Sequence, residues 1–244
     1  MDVYIYDGSF YGFISLISML NNKKENVDIK SIKNYQPNFI DNAIYCNTNI
    51  KAAKQFLKDF KQRFGNNLYN ILLYSFLSEK LDIEVSIYNF ILLLQKDGGK
   101  IIKDYSNIYV YNVYTGCKKT MREFNKYIGL LRFSTTKNNT LVAMFAPETN
   151  ILYPISLFFK KRFSSFDWII IDTKRKNIAL YKNKVLKYIT NKNLEKLIYS
   201  KDELDYNKLW KKYLSAITIK ERKNYKLHVQ NMPKKYWKYL VEKN

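Results

Sequence analysis

At Gly129 the spacing of the apolar residues changes, and that change limits what this chain can fold into. Before it, Ile50, Ala53, Leu57, Phe60 and Phe64 recur at helical spacing, with Lys51, Lys54, Lys58 and Lys61 on another face. Gly65 stops that helix. Leu68 to Ser78 and Val85 to Leu94 read as two more helices, apolar on more than one side and therefore central. Residues 107–127 read as a fourth, ending at Gly129. After Gly129 the pattern is strand-like. Leu130 to Ser134 and Leu141 to Ala146 pair around Lys137-Asn138-Asn139, and Trp168 to Asp172 pairs with Ile178 to Tyr181 around Lys174-Arg175-Lys176-Asn177. A helix beginning at Asn150 separates the hairpins. The fold class expected is α+β: a helix-rich N-terminal half, an antiparallel sheet from two hairpins, and a basic helical C-terminal extension.

The ends add detail. Val3 to Tyr6 reads as a strand, Asp7-Gly8-Ser9 as a turn, and Ser9 as the cap of a helix carrying Phe10, Phe13, Ile14, Ile17 and Leu20. Residues 23–48 read as loop and short strand around Pro37. Leu209, Trp210, Tyr213, Leu214 and Ile217 give one amphipathic face near the C-terminus. No Ser- or Gly-rich linker and no repeat divides the chain. The expected organisation is one compact domain, 1–244, with a mainly helical part (1–127), a hairpin-rich part (128–206) and a basic aromatic segment (207–244).

Charge is distributed unevenly. Residues 1–100 carry 12 Lys/Arg against 10 Asp/Glu, whereas residues 101–244 carry 30 against 11, so nearly all of the net +21 lies in the second part. AT-rich coding accounts for some of the lysine but not for the scarcity of acids beside it. Such a field attracts polyanions, nucleic acid first among them. The 47% hydrophobic content excludes wholesale disorder. Cys46 and Cys117 have no paired spacing and there is one histidine, His228, so neither a zinc nor an iron–sulfur pattern is present. The thiols read as buried groups of a cytoplasmic protein, with no membrane span and no signal peptide expected.

Candidate chemistry is sparse. The amides at Gly8 and Ser9 can hold an anion at a helix start, or Gly8 simply permits the turn and Ser9 caps. Glu79 ends an apolar helix as a general base, a ligand for arginine, or a solvated helix end. Arg122-Glu123 and Gly129-Leu130-Leu131-Arg132-Phe133 form the densest group. Arg132 falls between apolar residues of a strand, where it needs Glu123 or Asp172 as a partner or meets a phosphate or carboxylate bidentately. Asp172 closes an apolar strand, as an active carboxylate or as the start of a turn. Lys174, Arg175 and Lys176 project into solvent from the tip, for phosphate contact or for solvation alone. From Trp210 to Trp237 bases alternate with aromatics, including Arg222, Lys234, Lys235 and Trp237. This segment either holds phosphates and stacked bases or packs its rings and leaves its lysines wet.

Several segments together resemble a bacterial family of probable DNA metabolism proteins built on a domain of unknown function. They are Tyr6-Asp7-Gly8-Ser9-Phe10 with Gly12-Phe13, Phe76-Leu77-Ser78-Glu79, Arg122-Glu123, Gly129-Leu130-Leu131-Arg132-Phe133, Pro147, Asn150-Ile151-Leu152 and Arg162-Phe163. Trp168, Asp172, Arg175, Leu209-Trp210, Glu221-Arg222, Asn224 and Met232-Pro233-Lys234-Lys235-Tyr236-Trp237-Lys238 continue it. The resemblance implies a setting beside a radical-SAM protein of DNA modification or repair, and some similar chains are fused to a uracil-DNA glycosylase-like domain. The family pattern favours histidine near Asn125, near Phe158 and at Ile171. This chain has none there, so any acid–base or metal chemistry resting on those histidines would be missing.

Two expectations lead. One is a DNA-binding accessory protein working with a radical-SAM partner. It would hold double- or single-stranded DNA through Arg122, Arg132, Lys174, Arg175, Lys176, Arg222, Lys234, Lys235 and Trp237, with no metal or cofactor of its own. The other is an enzyme on DNA or a nucleotide in which Asp7, Glu79, Glu123 and Asp172 meet beside Arg132. A third is a protein-interaction module whose charge reflects codon usage.

Overall fold

Val3, Tyr4, Ile5 and Tyr6 are all buried, and a strand buried on both faces needs neighbours on both sides. The computed structural model describes residues 2–20, 27–136, 139–190 and 224–240, with Leu209, Lys212, Ala216 and Lys243. In it β1 (Asp2–Tyr6) is the central strand of a three-stranded sheet, flanked by β2 (Asp28–Ser31) and β3 (Asn42–Tyr45), both parallel to it. Helix α1 (Phe10–Leu20) makes the crossover that a parallel pair requires. Each flanking strand has only four residues, so the run 27–48 carried little signal of a sheet.

The chain gathers into two compact units, Met1–Met121 and Arg122–Asn244. In the first, α2 (Ile50–Phe76) is interrupted at Gly65, whose φ of 84° and ψ of 166° leave the helical region where the sequence placed a stop. Asn49 caps it by accepting from the Ala52 amide at 3.1 Å. Helix α3 (Ile83–Asp97) and the long α4 (Ile108–Leu130) follow as expected. Tyr4, Phe13, Leu72, Phe90 and Val113 belong to the core of this unit.

In the second unit the two expected hairpins form one five-stranded sheet, ordered β4-β5-β6-β7-β8. Strands β4 (Phe133–Thr135) and β5 (Leu141–Phe145) are antiparallel, as are β6 (Trp168–Asp172) and β7 (Asn177–Lys182). The sheet is mixed, however, because α5 (Leu152–Arg162) returns the chain so that β5 and β6 pair in parallel. Strand β8 (Val185–Thr190) was not anticipated. It follows a two-residue turn in which Asn183 and Lys184 both have positive φ, 50° and 63°, the geometry that hairpin turns favour.

Phe145, Ile155, Phe159, Trp168, Ile170 and Tyr181 form the centre of the second core, joined by Tyr127 and Tyr236. Arg132 lies just before β4, not within a strand. The C-terminal segment gives a short helix (Tyr225–Asn231), capped by Asn224, and a 3-10 helix (Lys234–Tyr239). Trp210, Tyr213, Leu214, Ile217 and Arg222 lie outside the described residues, as do Lys137 and Asn138.

Trp168 is fully buried and stacks on Tyr181 at 5.2 Å, while its indole N–H has no acceptor among the described residues. Trp168→Ala should cost roughly 3–5 kcal/mol in urea unfolding. Trp168→Phe should cost clearly less, because it removes an unpaired donor along with the lost volume.

Candidate functional site

The turn after β5 is held from two sides. Glu123, buried on α4, accepts from the Glu148 amide at 2.9 Å, the Thr149 amide at 2.7 Å and the Thr149 hydroxyl at 2.5 Å. From the other side Arg175 donates to the carbonyls of Pro147 at 3.1 Å and Glu148 at 2.8 Å. Its guanidinium is fixed in turn by Asp172, whose Oδ2 it meets at 3.1 Å. Asp172 also accepts from the amides of Lys174 and Arg175 at 3.0 and 3.1 Å, the local turn that Asp favours. Burial pushes the Asp172 carboxyl above its usual value, against the pull of the Arg175 guanidinium and the two amides.

Arg175 is therefore not part of a solvated tip. Its side chain is only 12% exposed, because it folds back to a carboxylate three residues earlier and to backbone oxygens it can reach with a planar fork. Lys174 and Lys176 do remain exposed. Lys174 Nζ donates to the Glu148 carbonyl at 3.3 Å, and Lys235 Nζ meets the Glu148 carboxylate at 2.8 Å. Burial works against the charge on Lys235, but Glu148 outweighs it and its pKa rises. Two lysine clusters far apart in sequence thus converge on one residue. Lys126 of α4 lies 5.8 Å from the Tyr236 ring and Lys235 lies 5.2 Å from it, which adds an α4 cation to the same region. Arg122 and Lys234 are exposed.

The C-terminal aromatics turn inward. Tyr236 is buried against Tyr127, the Tyr239 hydroxyl bonds Thr173 at 2.7 Å, and Trp237 donates to the Met232 carbonyl at 2.9 Å with Lys243 over its ring. Trp237 is half-buried, with His228 beside it at 6.1 Å. Arg132 turns back to the end of α4, donating to the Gly129 carbonyl at 3.0 Å.

Asp7, Glu79, Gly8 and Ser9 belong to the other unit. Asp7 accepts from the Ser9 amide and the Thr48 hydroxyl, each at 2.8 Å, and Ser9 accepts from the Gly12 amide at 2.9 Å. These two amides at the start of α1 are thus taken up internally. Burial opposes the Asp7 charge, yet bonds from Ser9 and Thr48 leave its pKa lowered. A Cβ on Gly12 would collide with this carboxylate, which explains the glycine. Glu79 is exposed at the end of α2 with a φ of 48°. The four candidate carboxylates divide two and two between the units.

Residues 81–242, more than half of the chain, match the family described as a domain of unknown function (DUF4130). The chain belongs to that family. No curated protein matches it. The matched range contains Glu123, Pro147, Glu148, Asp172, Arg175 and Lys235, whereas Asp7, Gly8, Ser9 and Glu79 precede it. Among the described residues no helix is long and apolar enough to cross a membrane.

One pair escaped notice in the sequence. The Tyr6 hydroxyl donates to Glu84 Oε1 at 2.8 Å, and burial raises the pKa of Glu84. A carboxyl raised by folding keeps its proton longer than in the unfolded chain, so its contribution is full below the unfolded pKa and is lost as pH rises through the folded one. Glu84→Gln should therefore gain stability relative to the parent as pH is raised from 4 to 7, measured by denaturant midpoints. Glu123→Ala, which strands two amides and a hydroxyl, should cost about 3 kcal/mol at neutral pH in the same assay.

Proposed function

We propose that this DUF4130 protein is a nucleic-acid-binding accessory protein of DNA repair or modification that acts with a radical-SAM partner. The observation that carries the binding is the convergence of Lys174 and Lys235 on Glu148. It brings the clusters 174–176 and 234–238 to one place in a unit with 27 Lys/Arg against 10 Asp/Glu, a net of +17. Two of that unit's acids, Glu123 and Asp172, are buried and engaged by donors of the unit itself, so they do little to screen the exposed cations. Lysines so placed neutralise backbone phosphates and release counterions. The DNA setting and the radical-SAM partner rest on the family resemblance of the sequence.

The basic residues divide the roles. Lys174, Lys176, Lys234 and Lys235, with Arg122 on α4, meet phosphate, while Arg175 shapes the turn that presents them. Binding to duplex and single-stranded DNA across a salt series tests this reading. Log affinity should fall linearly with log salt, and Lys174→Ala or Lys176→Ala should each reduce the slope by about 1. A flat plot, or no binding at low salt, would overturn the reading.

A further inference from the structure

Two tyrosines stand at the surface of the second unit in an arrangement that solvation alone does not require. Tyr153, on α5, and Tyr188, on β8, are 44% and 47% exposed, and their ring centroids are 6.0 Å apart at 41°. Exposed tyrosines ordinarily turn the hydroxyl to water and the ring inward. Here the Tyr188 hydroxyl lies 2.7 Å from the hydroxyl of Ser156, which is fully buried. Ser156 has one hydrogen, and it goes to the Tyr153 carbonyl at 2.7 Å. The Tyr188 O–H must then donate to Ser156 Oγ. The polar end of the ring is fixed inside and its flank is left outside.

The pair also lies beside the lysine face. Tyr188 pairs with Ala179 and Thr190 with Asn177, the residue after Lys176. At the rise of a strand Tyr188 is about 7 Å from Thr190. Thr190 is itself bonded to Asn177 at 3.1 Å. Tyr153 follows Glu148 by one turn and the start of α5. The exposed positions of that helix continue with Leu157, Lys160 and Lys161, so cations flank the rings along α5 as well.

We infer that Tyr153 and Tyr188 form a stacking site for an unpaired base of a nucleic acid whose phosphates lie on the lysine face. The inference rests on the nucleic-acid reading above and specifies its ligand as a strand with accessible bases. A base between the rings would need about twice the stacking distance of 3.4 Å. The 6.0 Å separation is too small for that, so the base lies on the outer flank of the pair. Every base offers a π-face, so the site discriminates unpaired from paired bases more than one base from another.

Fluorescence anisotropy with a labelled oligo-dT strand and a duplex of equal length tests the site, using the full chain across one common series of salt concentrations. Tyr188→Leu and Tyr153→Leu should each weaken single-strand binding roughly ten-fold while changing duplex affinity little. Tyr188→Trp should keep the single-strand affinity, and the salt slope should be the same for all, with circular dichroism checking that each variant folds. Leucine variants that are folded and bind the single strand like the parent would overturn the stacking site alone. A parent that binds neither strand would overturn both the site and the reading on which it rests.

Discussion

The turn Pro147-Glu148-Thr149 is the point on which the second unit depends. Its N–H groups are taken by Glu123 from a helix and its carbonyls by Arg175 from a hairpin, so one short segment ties α4 to the sheet. Burying three ionised groups is expensive unless each is fully bonded, and a half-satisfied arrangement would be worse than an apolar one. Among the described residues Glu123 accepts from two amides and a hydroxyl, Asp172 accepts from two amides and the Arg175 guanidinium, and Arg175 also donates to the Pro147 and Glu148 carbonyls. That completeness makes the backbone position of Glu148 a fixed point.

From that fixed point the surface follows. The side chain of Glu148 points outward to Lys235 and its carbonyl also receives Lys174. The C-terminal 3-10 helix is seated by Tyr236 in the core and by the Tyr239–Thr173 bond. Buried charges thus hold a framework, and the cations that remain exposed are presented together. Glu148 is an exposed anion within a strongly positive unit, suited to keeping the two lysine clusters in position.

The periodic parts of the fold were legible because burial of one face imposes a period. Helices α2 to α4 and both hairpins follow from apolar spacing alone. The parallel pairing of β5 with β6 was not, since it is set by how α5 packs and leaves no mark on either strand. Strand β8 mixes Lys187 with exposed Val185, Tyr188 and Ile189, so it lacks clean alternation, and Asn183-Lys184 is a weaker turn signal than Asn-Gly. At the site, Lys174-Arg175-Lys176 reads as one solvated run. Only the reach and planarity of the guanidinium separate Arg175 from its neighbours. Of the two readings open for the rings near the C-terminus, stacking on bases or packing inward, Tyr236, Trp237 and Tyr239 follow the second, and the outward pair Tyr153 and Tyr188 comes from elements whose contact is invisible along the chain.

Hydrogen exchange at the amides of Glu148 and Thr149 tests this arrangement most directly. Both belong to a turn, and turn amides ordinarily exchange quickly unless bonded within the structure. If Glu123 holds them as described, they exchange on the slow scale of the β5 and β6 core amides. Exchange near the rate of an open loop would mean that the turn is not gripped, and Glu148 would then not be the fixed point on which the two lysine clusters meet.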